Sequence, residues 1–169
     1  DSVYQSLSLD QKIGQLFTPM VFSKNENDHF NEIKNLIEKY HIGGIIFSLG
    51  GPVKQSQWLN EFQSLSKVPL MVSMDAEWGV SMRLDSVVAF PWSMTLGAIK
   101  ENEIVRKIGQ RMGEQEKTLG VHMSYTPVLD INTNPQNPII GNRSFGEDPE
   151  RVAEKGVALM RGHHDAGIL

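Results

Sequence analysis

The feature that most constrains this chain is a repeated alternation of short apolar stretches with helical patterns about twice their length. The stretch Ile42-Gly43-Gly44-Ile45-Ile46-Phe47 is apolar on both faces, as in a parallel strand covered on both sides. It follows a helical pattern opening at Asp28, in which Ile33, Leu36, Ile37 and Tyr40 share one face at i, i+3, i+4, i+7. Gly50-Gly51-Pro52 then turns into a second helical pattern with Trp58, Leu59, Phe62 and Leu65 as its buried stripe. The next strand, Leu70 to Met74, ends on Asp75.

The same rhythm continues in both directions. Ser8 and Gln11 form a capping box for a short N-terminal helix, and Leu16 to Phe22 reads as a first strand interrupted by Pro19. A long loop runs from Asp75 to about Gly97. A helix from Asn102, with Ile104, Ile108 and Met112 in register, stops at Gly120. His122 to Ile131 reads as a fourth strand. Asp148-Pro149 caps a last helix that closes at Gly167, and Ile168-Leu169 begins a fifth strand.

Strands alternating with such helices imply right-handed crossovers and a parallel sheet, hence an α/β fold. About four βα units fit either an open doubly wound sheet or the first half of a TIM-like (β/α)8 barrel. No Gly-x-Gly-x-x-Gly follows the first strand, so a dinucleotide fold has no support and the barrel is preferred. The whole span 1–169 is read as one domain piece, long enough for a real core.

Composition removes several functions. The net charge of −4 gives no reason to expect nucleic acid as partner, and no apolar run approaches the length of a membrane span. The absence of cysteine excludes disulfides, thiolate zinc sites and a thiol nucleophile. The N-terminus, Asp1-Ser2-Val3-Tyr4, carries neither Met nor a basic and apolar signal segment. That favours an exported protein whose leader is removed, with the cytoplasm as the other option.

In both α/β architectures ligands sit at the C-terminal ends of strands, and two loops there are loaded with chemistry. One is Asp75-Ala76-Glu77-Trp78-Gly79-Val80-Ser81-Met82-Arg83-Leu84, followed by Phe90-Pro91-Trp92. The other runs from Pro127-Val128-Leu129-Asp130-Ile131-Asn132 to Gly141-Asn142-Arg143-Ser144-Phe145-Gly146-Glu147-Asp148-Pro149. A carboxylate on a strand end can accept from two vicinal hydroxyls, and an arginine presents donors in a fixed fork. Trp78 and Trp92 fit either packing or the apolar platform that a sugar face prefers. Each group also has a structural reading. Arg83 is placed to pair with Asp85, Arg143 with Glu147 or Asp148, Glu77 to stabilise its loop, and Asp130 to brace the loop after it.

These motifs resemble glycoside hydrolase family 3. Asp-x-Glu-x-Gly-x-x-x-Arg-Leu before Phe-Pro, Pro-Val-x-Asp-x-Asn, and Gly-Asn-Arg-Ser-Phe-Gly-x-Asp-Pro carry the likeness, from about Leu9 to Leu169. Glu77 and Arg83 are closer to the β-N-acetylglucosaminidase branch than to the β-glucosidases. Trp78 stands where the family more usually has glycine. The resemblance implies hydrolysis of terminal β-linked N-acetylglucosamine with retention, through a covalent glycosyl-enzyme. It implies Asp75, Arg83 and Arg143 as substrate-binding residues, a carbohydrate as partner, and no cofactor or metal. The nucleophilic aspartate and acid/base histidine of the family are expected beyond Leu169, so none of the catalytic residues is expected in this chain. His163 and His164, near the end of an outer helix, do not substitute for them.

The alternatives are a β-glucosidase or β-xylosidase of the same family, a non-catalytic carbohydrate-binding module, and, as a weaker third, a phosphate-binding barrel enzyme. The half-barrel is also expected to leave two strand edges and an apolar face open, which favours self-association.

Overall fold

A computed structural model of the chain describes residues 2–25 and 27–169; Asp1 and Glu26, both within the expected 1–169 domain piece, lie outside the described residues. Four parallel strands form one sheet: β1 (Met20–Val21), β2 (Gly44–Phe47), β3 (Met71–Met74) and β4 (Met123–Ser124). Their order in space is their order in sequence, β1-β2-β3-β4. A doubly wound sheet reverses direction after its first strands, whereas a barrel adds every strand on the same side. The unreversed order therefore selects the barrel, a choice that hydrophobic periodicity leaves open.

Helices α1 (Ser2–Ser6) and α2 (Leu9–Gly14) precede the sheet. The crossovers are α3 (Asn27–Tyr40), α4 (Pro52–Leu65), and the pair α5 (Ser93–Gly97) and α6 (Asn102–Thr118). After β4 comes α7 (Pro149–Ala166). The far edge of β4 is already occupied: Ser124 N–H donates to the Leu169 carbonyl and Leu169 N–H to that of His122, both at 2.9 Å. Leu169 thus sits beside β4 as the opening of the expected fifth strand.

Several caps form as the sequence implies. Ser8 Oγ accepts from Gln11 N–H while Gln11 Oε1 accepts from Ser8 N–H. Asp148 accepts from Arg151 N–H at the start of α7, and Gly167 ends it with φ of 84°. Other expectations are corrected. The first strand is shorter than Leu16–Phe22: residues 15 to 17 still belong to the turn closing α2, and Pro19 offers a carbonyl to Ile46 but has no N–H to give. The fourth strand stops at Ser124 rather than Ile131, with Pro127 equally unable to donate. Tyr40 and Ile104 are exposed, not buried.

The core has two parts. One packs α3 and α4 on the sheet through Ile33, Ile37, Phe62, Ile45, Phe47 and Val72. The other joins α5, α6 and α7 through Leu96, Val105, Met112, Phe145 and Leu159. Here glycines set the helix spacing. A Cβ on Gly162 of α7 would lie 2.1 Å from the Arg106 carbonyl oxygen of α6, and one on Gly109 would lie 2.4 Å from that of Leu159. Backbone cannot give way as a side-chain tip can, so Gly162→Ala must separate the helices. We expect a loss of about 1–3 kcal/mol, read as a lower urea midpoint, the usual range for overpacking. An unchanged midpoint would contradict this account of the α6–α7 contact.

In the same layer, Glu116 of α6 is fully buried and accepts from the Ser124 hydroxyl at 2.9 Å. His163 of α7 packs beside it, with Nε2 3.6 Å from the carboxylate. His163 is thereby part of the helix–sheet packing. No helix among the described residues is long and apolar enough to cross a membrane.

Candidate functional site

Asp75 is the first residue after β3, on the end of the sheet where α/β proteins bind ligands. The loop that follows is shaped to return Arg83 to it. Gly79 takes φ of 84°, and a Cβ there would press on the Phe90 ring at 2.8 Å, so only glycine suits the position. A single 3-10 turn, Val80–Met82, then delivers Arg83. Its Nε donates to the Asp75 carbonyl at 2.9 Å and its Nη2 to Asp75 Oδ2. The end of β2 holds the return in place: Gly50 N–H donates to Arg83 O, and Asp85 N–H donates to Gly50 O. The alternative pairing of Arg83 with Asp85 does not form; Asp85 is exposed at the edge of this loop.

The pairing leaves a usable edge. Among the described residues nothing bonds Asp75 Oδ1 or Arg83 Nη1, and both side chains are partly open to solvent. An acceptor, Asp75 Oδ1, and a donor, Arg83 Nη1, are therefore left unpaired on two side chains that fix one another.

Arg143 comes from the second loop, in a single turn Gly141–Arg143. It grips Glu77 with both arms, Nε to Oε2 at 2.8 Å and Nη2 to Oε1 at 2.7 Å, while Nη1 donates to the Ile139 carbonyl at 3.3 Å. Glu77 is 3% exposed and Arg143 31%. The hydrogen bonds that Arg143 donates to Glu77, joined by the charges of Glu77, Asp75 and Asp130, hold the guanidinium above its ordinary pKa against the opposing effect of burial. Neither Glu147 nor Asp148 takes this role; Asp148 caps α7 instead. Glu77 does stabilise its loop, and it does so by clamping a second loop 66 positions away.

Asp130 has its side chain exposed, and its carbonyl accepts from the Ser144 hydroxyl. That contact, with Ser144 also bonded to Gly146, shapes the turn carrying Arg143. Gly97 completes the support: a Cβ there would lie 1.8 Å from the Phe145 carbonyl oxygen, so α5 touches this loop backbone to backbone. Trp78 and Trp92 stack with centroids 4.1 Å apart and planes 10° from parallel.

The sequence places Asp75, Arg83 and Arg143 on two loops, and the structure brings the loops together. The sequence does not show Glu77 as the link; the signal for that is only its two-residue spacing from Asp75. Among the described residues no group of three or more His, Asp or Glu is arranged to hold a metal. A concavity of about 1020 Å³ lies at the opposite end of the sheet, among Ile13, Phe17, Pro19, Tyr40 and Ile42 at the strand starts. It is mainly apolar and has no fixed carboxylate–guanidinium pair, so the chemistry favours the Asp75 end.

Residues 8–169 match the family described as the glycosyl hydrolase family 3 N terminal domain. A beta-hexosaminidase A of Pseudoalteromonas piscicida is 31% identical over 151 residues, 82% of this chain and 25% of the relative. A beta-N-acetylglucosaminidase/beta-glucosidase of Cellulomonas fimi is 28% identical over 94% of this chain and 28% of its own length. Among solved structures, a glycoside hydrolase family 3 beta-N-acetylglucosaminidase from Paenibacillus sp. strain FPU-7 superposes with a TM-score of 0.85 at 36% identity, covering 96% of this chain and 32% of that one. The chain thus spans about a quarter to a third of each of these relatives.

Proposed function

This chain belongs to glycosyl hydrolase family 3, and we propose that it is the sugar-holding half of a catalytic barrel that removes terminal β-linked N-acetylglucosamine with retention. The observation that carries this reading is the Asp75–Arg83 edge: a fixed acceptor beside a fixed donor at the strand ends. Asp75 Oδ1 accepts from one hydroxyl, and Arg83 Nη1 donates to an adjacent oxygen. Arg143, aimed by Glu77, closes the same subsite from the second loop. These groups hold the sugar rigidly, so that its anomeric carbon is presented to the reacting groups with little further ordering.

Retention requires a nucleophile and an acid/base. Asp75 and Glu77 do not form that pair, because Glu77 is buried and committed to both arms of Arg143. By family resemblance the nucleophilic aspartate and the acid/base histidine lie in the parent beyond Leu169. The remainder of that barrel would also cover the open β1 edge, where Leu16, Phe17 and Met20 are exposed; without it, self-association through this edge is expected.

The Cellulomonas fimi relative, named for both activities, supports β-glucosidase action as a second reading. Hydrolysis of a panel of nitrophenyl glycosides by the full-length parent separates the two. We expect the β-N-acetylglucosaminide to be the preferred substrate; turnover of the β-glucoside but not of the N-acetylglucosaminide would refute our first reading.

A further inference from the structure

Asp75 does not stand alone at the end of the sheet. In the parallel ladder Ser73 pairs with Met123 and Met74 with Ser124. The pairing runs one step further, because Tyr125 N–H donates to the Met74 carbonyl at 2.9 Å, the bond that sets Tyr125 opposite Asp75. Neighbouring strands lie about 4.8 Å apart, so the two residues leave the sheet side by side.

Both side chains project from the inner face. Successive residues of a strand point to opposite faces. Met74 belongs to the core that α3 and α4 cover, and the Ser124 hydroxyl donates to Glu116 of α6, so both point outward. Asp75 and Tyr125, the next residue on each strand, therefore point toward the barrel axis. The row beneath them, Met20, Ile46, Ser73 and Met123, is mostly apolar and forms a floor. Tyr125 is 49% exposed, and among the described residues nothing bonds its hydroxyl. Its backbone is nonetheless fixed, since Ser124 before it is tied both to Leu169 and to Glu116.

We infer that Tyr125 is a further sugar-binding residue, its hydroxyl bonding the terminal pyranose that Asp75 holds. The inference rests on the glycosidase reading above. A phenol offers one donor and one acceptor at the tip of a rigid ring. Filling the barrel against its second half would need only the ring, and a hydroxyl carried into a dry core must find a partner there. Beside Asp75, at the ligand end of the sheet, a hydroxyl of the sugar supplies that partner. The ligand class is a neutral pyranose, and the contact is to one of its hydroxyl groups.

The test is Tyr125→Phe in the full-length parent, which removes one oxygen and keeps the ring. We expect kcat/KM for nitrophenyl β-N-acetylglucosaminide to fall about tenfold, the scale of one neutral hydrogen bond. The inhibition constant of free N-acetylglucosamine should rise by a similar factor, with the thermal unfolding midpoint unchanged. Kinetics and inhibition both within about twofold of the parent would overturn the contact. So would a lower unfolding midpoint with an unchanged inhibition constant, which would assign the hydroxyl to packing against the rest of the barrel. A parent inert toward the substrate would overturn the glycosidase reading, and the contact with it.

Discussion

Asp75→Asn in the full-length parent is expected to lower kcat/KM for a β-N-acetylglucosaminide about 10³-fold while leaving the fold intact. The carboxylate accepts from Arg83 on one oxygen and leaves the other free. An amide keeps the size of the side chain but replaces one acceptor with a donor, and it loses the charge that holds Arg83 in place. Hydrogen bonds to charged groups contribute about 1.5–3 kcal/mol each. Two weakened contacts therefore amount to about 3–6 kcal/mol, and each 1.4 kcal/mol is a factor of about ten. Stability should change little, because both side chains are partly exposed and such ion pairs contribute at most about 1 kcal/mol. The measurement is steady-state kinetics beside thermal unfolding. Activity within tenfold of the parent would remove Asp75 from the sugar site.

The second large effect is expected at Glu77, through Arg143. Removing a buried partner leaves a charge without compensation, and for fully enclosed pairs this costs about 3–5 kcal/mol. Arg143 is about one-third exposed and can recover some solvation, so we expect a loss nearer 2 kcal/mol for Glu77→Ala. Activity should fall about 10–100-fold as well, since the guanidinium is then free to swing. A double-mutant cycle separates aiming from mere bracing. If Glu77 acts through Arg143, the Glu77→Ala/Arg143→Ala protein should have the activity of Arg143→Ala alone. Additive losses would show that Glu77 serves some other purpose.

How far the sequence discloses this arrangement depends on the range of the interactions involved. The Ser8–Gln11 capping box and the Asp148, Pro149 and Gly167 punctuation of α7 are local devices, and they form where the pattern places them. Helix α5 escapes notice because Ser93–Gly97 is a single turn with no side-chain cap and no period to detect. The buried face of α6 is misjudged for a different reason. It is built partly from Gly109 and Gly113, which allow close approach to α7 but do not register as apolar residues, whereas the apolar Ile104 lies outside the contact. The fourth strand is overestimated because Pro127 to Ile131 is rich in apolar residues, which run on past the last ladder bond.

The site divides in the same way. Asp75 is legible because its place depends only on where β3 ends. The partner of Arg83 is not, since it is decided by the turn at Gly79 and the anchoring at Gly50 rather than by the nearness of Asp85 in sequence. The Glu77–Arg143 clamp spans 66 positions, and no local pattern contains it. Family resemblance identifies both arginines but is silent on what holds them.

The central claim is that this chain holds a sugar and that the groups which cleave the bond lie elsewhere in the parent. It is tested most directly by assaying the full-length parent and residues 1–169 side by side on nitrophenyl β-N-acetylglucosaminide. The account predicts turnover by the parent and none by the shorter chain, which lacks both groups a retaining mechanism requires. Turnover by residues 1–169, purified free of any other glycosidase, would contradict it.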